Sequence, residues 1–288
     1  MPELPEVEII SRGLRKLIVD LKIKSVEIRL SKIFTGNLNN IIGATVCSIE
    51  RKAKIIIINL DNGYSILIHL KMTGQLVIDR KQNNRSTRVA GGHPSVDWVA
   101  DLPNKFTHVI FVFSSGITMY FNDLRRFGYI KLYKTDEVDL LEPIKKLGPE
   151  PFSLKLTPEY LMGVFVKRPK IKIKQLLLDQ TVISGIGNIY ADESLFCSNI
   201  SPLRLAKDIK RSEIIELLKC IKIVLRQAIK YGGSSENTFV HASGSKGQMQ
   251  NYFKVYRRTG QNCLNGCGKI IRVVVGGRGT YYCPKCQN

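Results

Sequence analysis

The spacing of apolar residues changes near the middle of this chain, and that change limits it to two parts of different architecture. In the first part the period is that of strands. Lys54–Leu60 and Tyr64–Leu70 flank Asp61-Asn62-Gly63, and Asn-Gly between apolar runs is the strongest short hairpin signal. His108–Phe113 and Ile117–Phe121 form a second pair around Ser114-Ser115-Gly116, and Tyr129–Tyr133 reads as a further strand. Ahead of them, Val7, Ile10, Leu14, Leu17 and Ile18 fall at three- and four-residue steps, so Pro5 to about Leu21 is a helix with one face on a core. The pattern predicts an antiparallel sandwich or barrel with a leading helix packed against it.

Beyond Thr157-Pro158, a good helix start, the period is helical. Leu161, Met162, Phe165 and Val166 share one face, Lys172–Asp179 is a short helix, and Asn188–Ser198 is a third. Ser212–Tyr231 is a long fourth, carrying Ile214, Leu217, Leu218, Ile221 and Leu225, and closed by Gly232-Gly233. Ser234–Gln250 is polar and Gly-rich, a loop; Phe253–Tyr256 and Ile270–Val275 read as strands. Arg80–Asn104 is long for a hairpin connection and reads as a mobile surface loop. Glu142–Ser153, with Leu147-Gly148-Pro149-Glu150-Pro151, has the texture of a linker. The class is α+β, divided into 1–134, a linker 135–156, a helical domain 157–250 and a final module 251–288. No internal repeat is visible.

The net charge of +20 over 288 residues, spread along the chain, points to a polyanionic partner. An anionic membrane is the rival. No apolar run approaches the ~20 residues that span a bilayer, and the start lacks a basic region followed by an apolar one. A soluble, cytosolic, monomeric protein is expected.

Of seven cysteines, Cys47, Cys197 and Cys220 sit among apolar residues and read as small buried hydrophobes. An odd total and a cytosolic setting argue against a disulfide framework. Cys263, Cys267, Cys283 and Cys286 are different. Two close pairs around a two-strand insert supply four thiolates, enough for a closed tetrahedral zinc site of the structural kind. The hairpin between them carries Arg272 and Arg278, with Gly276-Gly277-Arg278-Gly279 at its tip, a composition suited to phosphate. Gly185-Ile186-Gly187-Asn188 precedes a helix whose N-terminus favours an anion, although Asn188 also suits the role of that helix's N-cap.

The first eight residues, Met1-Pro2-Glu3-Leu4-Pro5-Glu6-Val7-Glu8, carry three carboxylates and two prolines. Removal of Met1 leaves Pro2 as a secondary α-amine. Such a group titrates at roughly 7.7–8.0, so part of it is nucleophilic near neutral pH. It can attack an electrophilic carbon to form an imine, with Glu3 or Glu6 moving protons.

Met1–Glu8, Asp123-Leu-Arg-Arg-Phe-Gly128, Leu147–Pro151, Gly187-Asn-Ile-Tyr-Ala-Asp-Glu-Ser-Leu-Phe196 and Arg278-Gly-Thr-Tyr-Tyr-Cys-Pro-Lys-Cys-Gln287 together resemble bacterial formamidopyrimidine-DNA glycosylase, end to end. The resemblance implies a bifunctional glycosylase and lyase acting on oxidised purines in double-stranded DNA. It also implies a β-sandwich domain, a helix–two-turn–helix domain with a zinc finger, and DNA in the cleft between them. Pro2 then attacks the sugar's anomeric carbon, Glu3 is the proton-transfer carboxylate, Glu6 its partner near the lesion and Lys54 the catalytic lysine. Lys174, Asn188 and Arg278 match phosphate-binding positions, and Met72, Arg125 and Phe127 match side chains that fill the hole left by the flipped base. Taken without the resemblance, Lys54 reads as an exposed strand-end charge, and Met72 and Phe127 as core.

The chain departs from the family pattern in places. Leu264-Asn265-Gly266 separates the first cysteine pair by three residues where two are usual, and Lys71 stands for a glycine. Phe106 stands where histidine is common, the Arg80–Asn104 loop is longer, and Glu236-Asn237-Thr238-Phe239 is unusual for the loop over the everted base. The rival readings are an endonuclease VIII-like glycosylase for oxidised pyrimidines, which usually has Gly in place of Leu4, and a catalytically silent DNA-binding relative.

Overall fold

The computed structural model describes residues 1–82, 85–92, 101–234 and 247–288. The chain divides into two compact units, Met1–Lys145 with Tyr231–Gln250, and Lys146–Lys230 with Asn251–Asn288.

Among the described residues of the first unit, α1 (Leu4–Ile18) leads ten strands: β1 (Ile23–Ile28), β2 (Phe34–Thr35), β3 (Val46–Lys52), β4 (Ile55–Leu60), β5 (Tyr64–His69), β6 (Gly74–Gln82), β7 (Arg85–Gly92), β8 (Thr107–Phe113), β9 (Ile117–Asp123) and β10 (Tyr129–Lys134). They form two five-stranded sheets, in the orders β1-β8-β9-β6-β7 and β2-β10-β5-β4-β3. All pairings are antiparallel except β10 with the short β2. The core holds Val7, Ile10, Leu14 and Ile18 of α1 with Ile56, Ile58 and Leu60 of β4 and Phe111, Met119 and Phe121 of β8 and β9. The other face of β4, Ile55 and Ile57, is buried against Leu67, Val138 and Ile144. A strand covered on both faces reads as a continuous apolar run, which is why β4 is five apolar residues in six.

In the second unit, α3 (Pro158–Lys167), α4 (Ile173–Leu178), α5 (Asn188–Cys197) and α6 (Arg211–Lys230) follow the short α2 (Glu142–Lys145) that closes the first unit, and β11 (Ile271–Val275) and β12 (Arg278–Tyr282) form the last hairpin. Thr157 caps α3, its side chain accepting the Tyr160 N–H at 3.1 Å. No helix of the described residues is long and apolar enough to cross a membrane.

Several expectations need correction. The Arg80–Asn104 stretch is not a loop throughout: β6 and β7 pair from Gln75↔Gly92 to Gln82↔Arg85, and polar composition hid a ladder held by backbone groups. On α3 only Leu161 and Phe165 are buried; Met162 and Val166 are 36% and 78% exposed. Phe253–Tyr256 is not a strand, because the N–H groups of Lys254, Val255 and Tyr256 all donate to the Glu193 carboxylate. Cys197 and Cys220 are joined in a disulfide between α5 and α6, and Cys47 is exposed. Their apolar sequence neighbours did not reveal that two helices bring the first two together. Residues 236–239 and His241 lie outside the described residues.

Candidate active site and nucleic-acid interface

The start of the chain is fixed by its own carboxylates. Glu3 is the N-cap of α1, and a capping box joins it to Glu6. Glu6 accepts the Glu3 N–H at 2.8 Å with one oxygen and the Ser234 N–H at 2.9 Å with the other. Pro2, Glu3 and Glu6 are all buried, while Met1 is 40% exposed. Chain ends ordinarily fray; this one is held.

Lys54 is buried at 6% exposure, not an exposed strand-end charge. It follows Ala53, whose φ of 52° makes the sharp turn between β3 and β4. That turn is tied to α1: Arg51 donates to the Ala53 carbonyl at 3.0 Å and to the Glu8 carboxylate at 2.8 Å. Burial pushes the Glu8 carboxyl up, but the hydrogen bonds and charges of Arg51 and Arg12 outweigh it and hold the group below its ordinary value. The residue after Lys54, Ile55, pairs with His69. Burial first, then the charges of Lys71 and Lys54, lower His69 to about 3, so its imidazole is neutral. Its Nδ1 accepts the Lys71 N–H at 3.0 Å, which puts the ring proton on Nε2 as a donor.

Met72 lies in the turn between β5 and β6, and Arg125 and Phe127 in the turn after β9. Phe127 is 57% exposed, and the Arg125 guanidinium lies 4.9 Å from its ring centroid. An exposed aromatic held by a cation is not core packing.

In the second unit, Gly187 caps α5 and Asn188 is its first helical residue, so the N-cap reading of Asn188 is corrected. Its side-chain amide donates to the Gly279 carbonyl on β12 at 2.9 Å. Lys174, expected against phosphate, is fully buried. Its ammonium donates to Gly279 O at 3.1 Å and Thr280 Oγ1 at 2.8 Å and pairs with Asp192 at 2.7 Å. Burial raises the Asp192 carboxyl to about 7, against the pull of Lys174 and of the Tyr281 N–H that donates to it. These contacts seat the hairpin on α4 and α5 and leave Arg278, at the start of β12, exposed.

The Sγ atoms of Cys263, Cys267, Cys283 and Cys286 all lie within 4.8 Å of one another. Four sulfurs at roughly 2.3 Å from a tetrahedral zinc are about 3.8 Å apart, so the cluster is the right size. The additional residue is absorbed in a turn in which Gly266 takes φ 72°, a conformation glycine adopts at no steric cost. Within that insert, Asn265 Nδ2 lies 3.4 Å from Cys286 Sγ as a donor.

Glu8, Arg51, His69, Asp192 and Glu193 were not singled out from sequence. Glu8, Asp192 and Glu193 lie inside the quoted motifs, and a charged residue flanked by apolar ones in a helix was the available signal for the last two.

Three family descriptions cover the chain: the N-terminal domain of formamidopyrimidine-DNA glycosylase matches residues 1–130, its H2TH domain 147–240, and the zinc finger found in FPG and IleRS 260–288. Formamidopyrimidine-DNA glycosylase of Pelotomaculum thermopropionicum is 39% identical over 292 residues, covering 100% of this chain and 99% of the relative. The Rickettsia felis protein of the same name is 37% identical over 294 residues, covering 100% and 98%. Among solved structures, a point mutant of Lactococcus lactis Fpg bound to a Fapy-dG-containing DNA superposes with a TM-score of 0.86 at 34% identity over 100% of both chains. Lactococcus lactis Fpg with abasic-site DNA gives 0.86 over 99% of both. The four cysteines hold one structural zinc. With matches to all three domains and relatives aligned over the full length, the chain belongs to the formamidopyrimidine-DNA glycosylase family.

Proposed function

We propose that this chain removes oxidised purines, 8-oxoguanine and formamidopyrimidines, from duplex DNA and cuts the strand at the resulting abasic site. It is a base-excision repair enzyme, a DNA glycosylase with lyase activity. The observation that carries the mechanism is the buried capping box that fixes Pro2-Glu3 at the head of α1. Freed of Met1, the Pro2 nitrogen attacks C1′ of the damaged nucleotide, the bond from C1′ to the base breaks, and the departing base takes a proton. The sugar ring then opens as its C1′–O4′ bond breaks, O4′ takes a proton from Glu3, and C1′ is left as an iminium ion on the Pro2 nitrogen. Its electron withdrawal makes the C2′–H acidic, so the 3′ phosphate leaves by β-elimination, and δ-elimination then releases the 5′ phosphate. Glu3 carries the protons, Glu6 fixes Glu3 near the lesion, and Lys54 is the catalytic lysine.

Binding divides between the units. Arg278 and Asn188 meet phosphate, and Lys174 holds their hairpin from behind. In the other unit Met72, Arg125 and Phe127 fill the space of the extruded base, which costs a few kcal/mol to unstack. The zinc supplies no chemistry to the reaction; it closes the finger that presents Arg278. A DNA substrate and relatives from bacteria support a place in the bacterial cytoplasm with the chromosome.

A second reading has a specific observation in its favour: Lactococcus lactis Fpg, at 34% identity, has also been solved with an oxidised-pyrimidine-containing DNA. A nicking assay on duplexes carrying 8-oxoguanine, a formamidopyrimidine or an oxidised pyrimidine tests both. Faster cutting of the purine lesions is expected. Preference for the pyrimidine reverses the assignment, and no cutting of any of them removes it.

A further inference from the structure

Asp123 is the last residue of β9 and is 1% exposed. A carboxylate so buried needs donors on both oxygens, and it has them. One oxygen accepts the Gly128 N–H at 2.7 Å; the other accepts the Arg125 N–H at 3.1 Å and the Thr73 hydroxyl. Thr73 Oγ1 in turn accepts the Arg125 N–H at 3.0 Å. Thr73 sits between Met72 and the first residue of β6, Gly74, which is the register partner of Asp123. The Asp123 backbone is held as well, its carbonyl 2.8 Å from His108 Nε2 and its N–H donating to Phe106 O at 2.9 Å.

Both turns joined here are sharply bent. The Met72 turn closes with the Gly74 N–H donating to Leu70 O at 2.8 Å, with Lys71 at φ 49°. The Arg125 turn has Arg126 at φ 56°. At its end Gly128 packs so closely that a Cβ would stand 2.7 Å from the Phe121 ring and 3.1 Å from the Asp123 carboxylate. Neither turn is regular structure, yet together they carry Met72, Arg125 and Phe127.

We propose that Asp123 and Thr73 are positioning residues that lock the two turns into one rigid wedge for entry into the DNA stack. The inference rests on the reading of Met72, Arg125 and Phe127 as void-filling side chains. A wedge inserted between base steps must hold its shape against unstacking, and disorder in its two halves would have to be removed on binding. Neither residue touches the reacting atoms. Their effect is therefore confined to substrates with a helix to open.

Two substrates separate that effect from general damage: a duplex with 8-oxoguanine, and a single-stranded oligonucleotide with a ready-made abasic site, which has no stack to enter. Asp123→Asn places an amide N–H₂ against N–H donors; Thr73→Val removes the hydroxyl while keeping its shape; Thr73→Ser keeps the hydroxyl. The first two should lose on the order of ten- to a hundredfold in kcat/KM on the duplex, with the rate of borohydride trapping on the single strand held within about twofold. Thr73→Ser should keep most of the duplex rate. If Asp123→Asn does not fold, Thr73→Val carries the test. Equal losses on both substrates, or no loss on the duplex in an active background, overturn the inference. A wild-type chain that nicks no damaged duplex overturns the glycosylase reading on which it rests.

Discussion

Glu6 accepts the backbone N–H of Ser234 at 2.9 Å across 228 positions of sequence. The same carboxylate accepts the Glu3 N–H, so one buried side chain ties the segment after α6 to the start of α1 within the first unit. A charge-assisted hydrogen bond in a buried setting contributes roughly 1.5–3 kcal/mol. Glu6→Gln keeps one acceptor and should lower stability by about that amount. Because it also loosens Pro2-Glu3, the rate of imine formation should fall more than lesion binding. Equal falls in single-turnover rate and affinity would contradict this role.

Lys174 and Asp192 are a buried ion pair at 2.7 Å with both side chains fully covered. Lys174→Met strands the carboxylate and should cost roughly 3–5 kcal/mol in urea unfolding, most of it recovered by adding Asp192→Asn. Salt dependence of DNA binding then sorts the cations. Each phosphate neutralised contributes about −0.9 to the slope of log K against log salt. Arg278→Ala should reduce that slope by roughly one unit, and the Lys174→Met/Asp192→Asn pair should leave it unchanged. A one-unit loss in the double variant would put Lys174 on a phosphate after all.

His69 sets a pH dependence whose sign is definite. Its folded value of about 3 lies below the ordinary 6.5, so the unfolded chain binds a proton that the folded one does not. Stability from this group is complete above pH 6.5 and is lost as pH falls towards 3. Between pH 7 and pH 5 the loss is at most about 2 kcal/mol. His69→Gln should flatten the stability profile over that window by a comparable amount. A parallel profile in the variant would show that the imidazole protonates freely.

Elemental analysis should find one zinc per chain, and X-ray absorption should show four sulfurs despite the three-residue spacing of Cys263 and Cys267. A structural zinc contributes on the order of 10–16 kcal/mol in finger peptides, far above the cost of one added loop residue, which is well below roughly 0.6 kcal/mol. Chelation should abolish DNA binding and leave the melting of the sheet unit in place. Three sulfurs with one nitrogen or oxygen would show that the insertion had displaced a ligand.

The legible parts of this chain were those whose physics is local. Asn62-Gly63 marked the β4–β5 hairpin, the α1 stripe marked its buried face, and four cysteines in two pairs marked the finger. Side chains with distant partners escaped. Glu193 consumes three N–H groups of Lys254–Tyr256, and a stretch of strand composition has no ladder as a result. Lys174 has the composition of a surface cation but faces Asp192 and the hairpin. Asp123 was visible within its motif, yet its bond to Thr73 depends on the β6–β9 register, which no local signal carries.

The most direct test of the mechanism is borohydride trapping on a lesion-containing duplex, followed by mass spectrometry of the adducted peptide. The mature chain should begin at Pro2, and the DNA should be linked to the Pro2 nitrogen. Pro2→Gly is no substitute for this mapping, because it retains an N-terminal amine. An adduct found only on a lysine, whether Lys54 or another, would contradict Pro2 as the nucleophile.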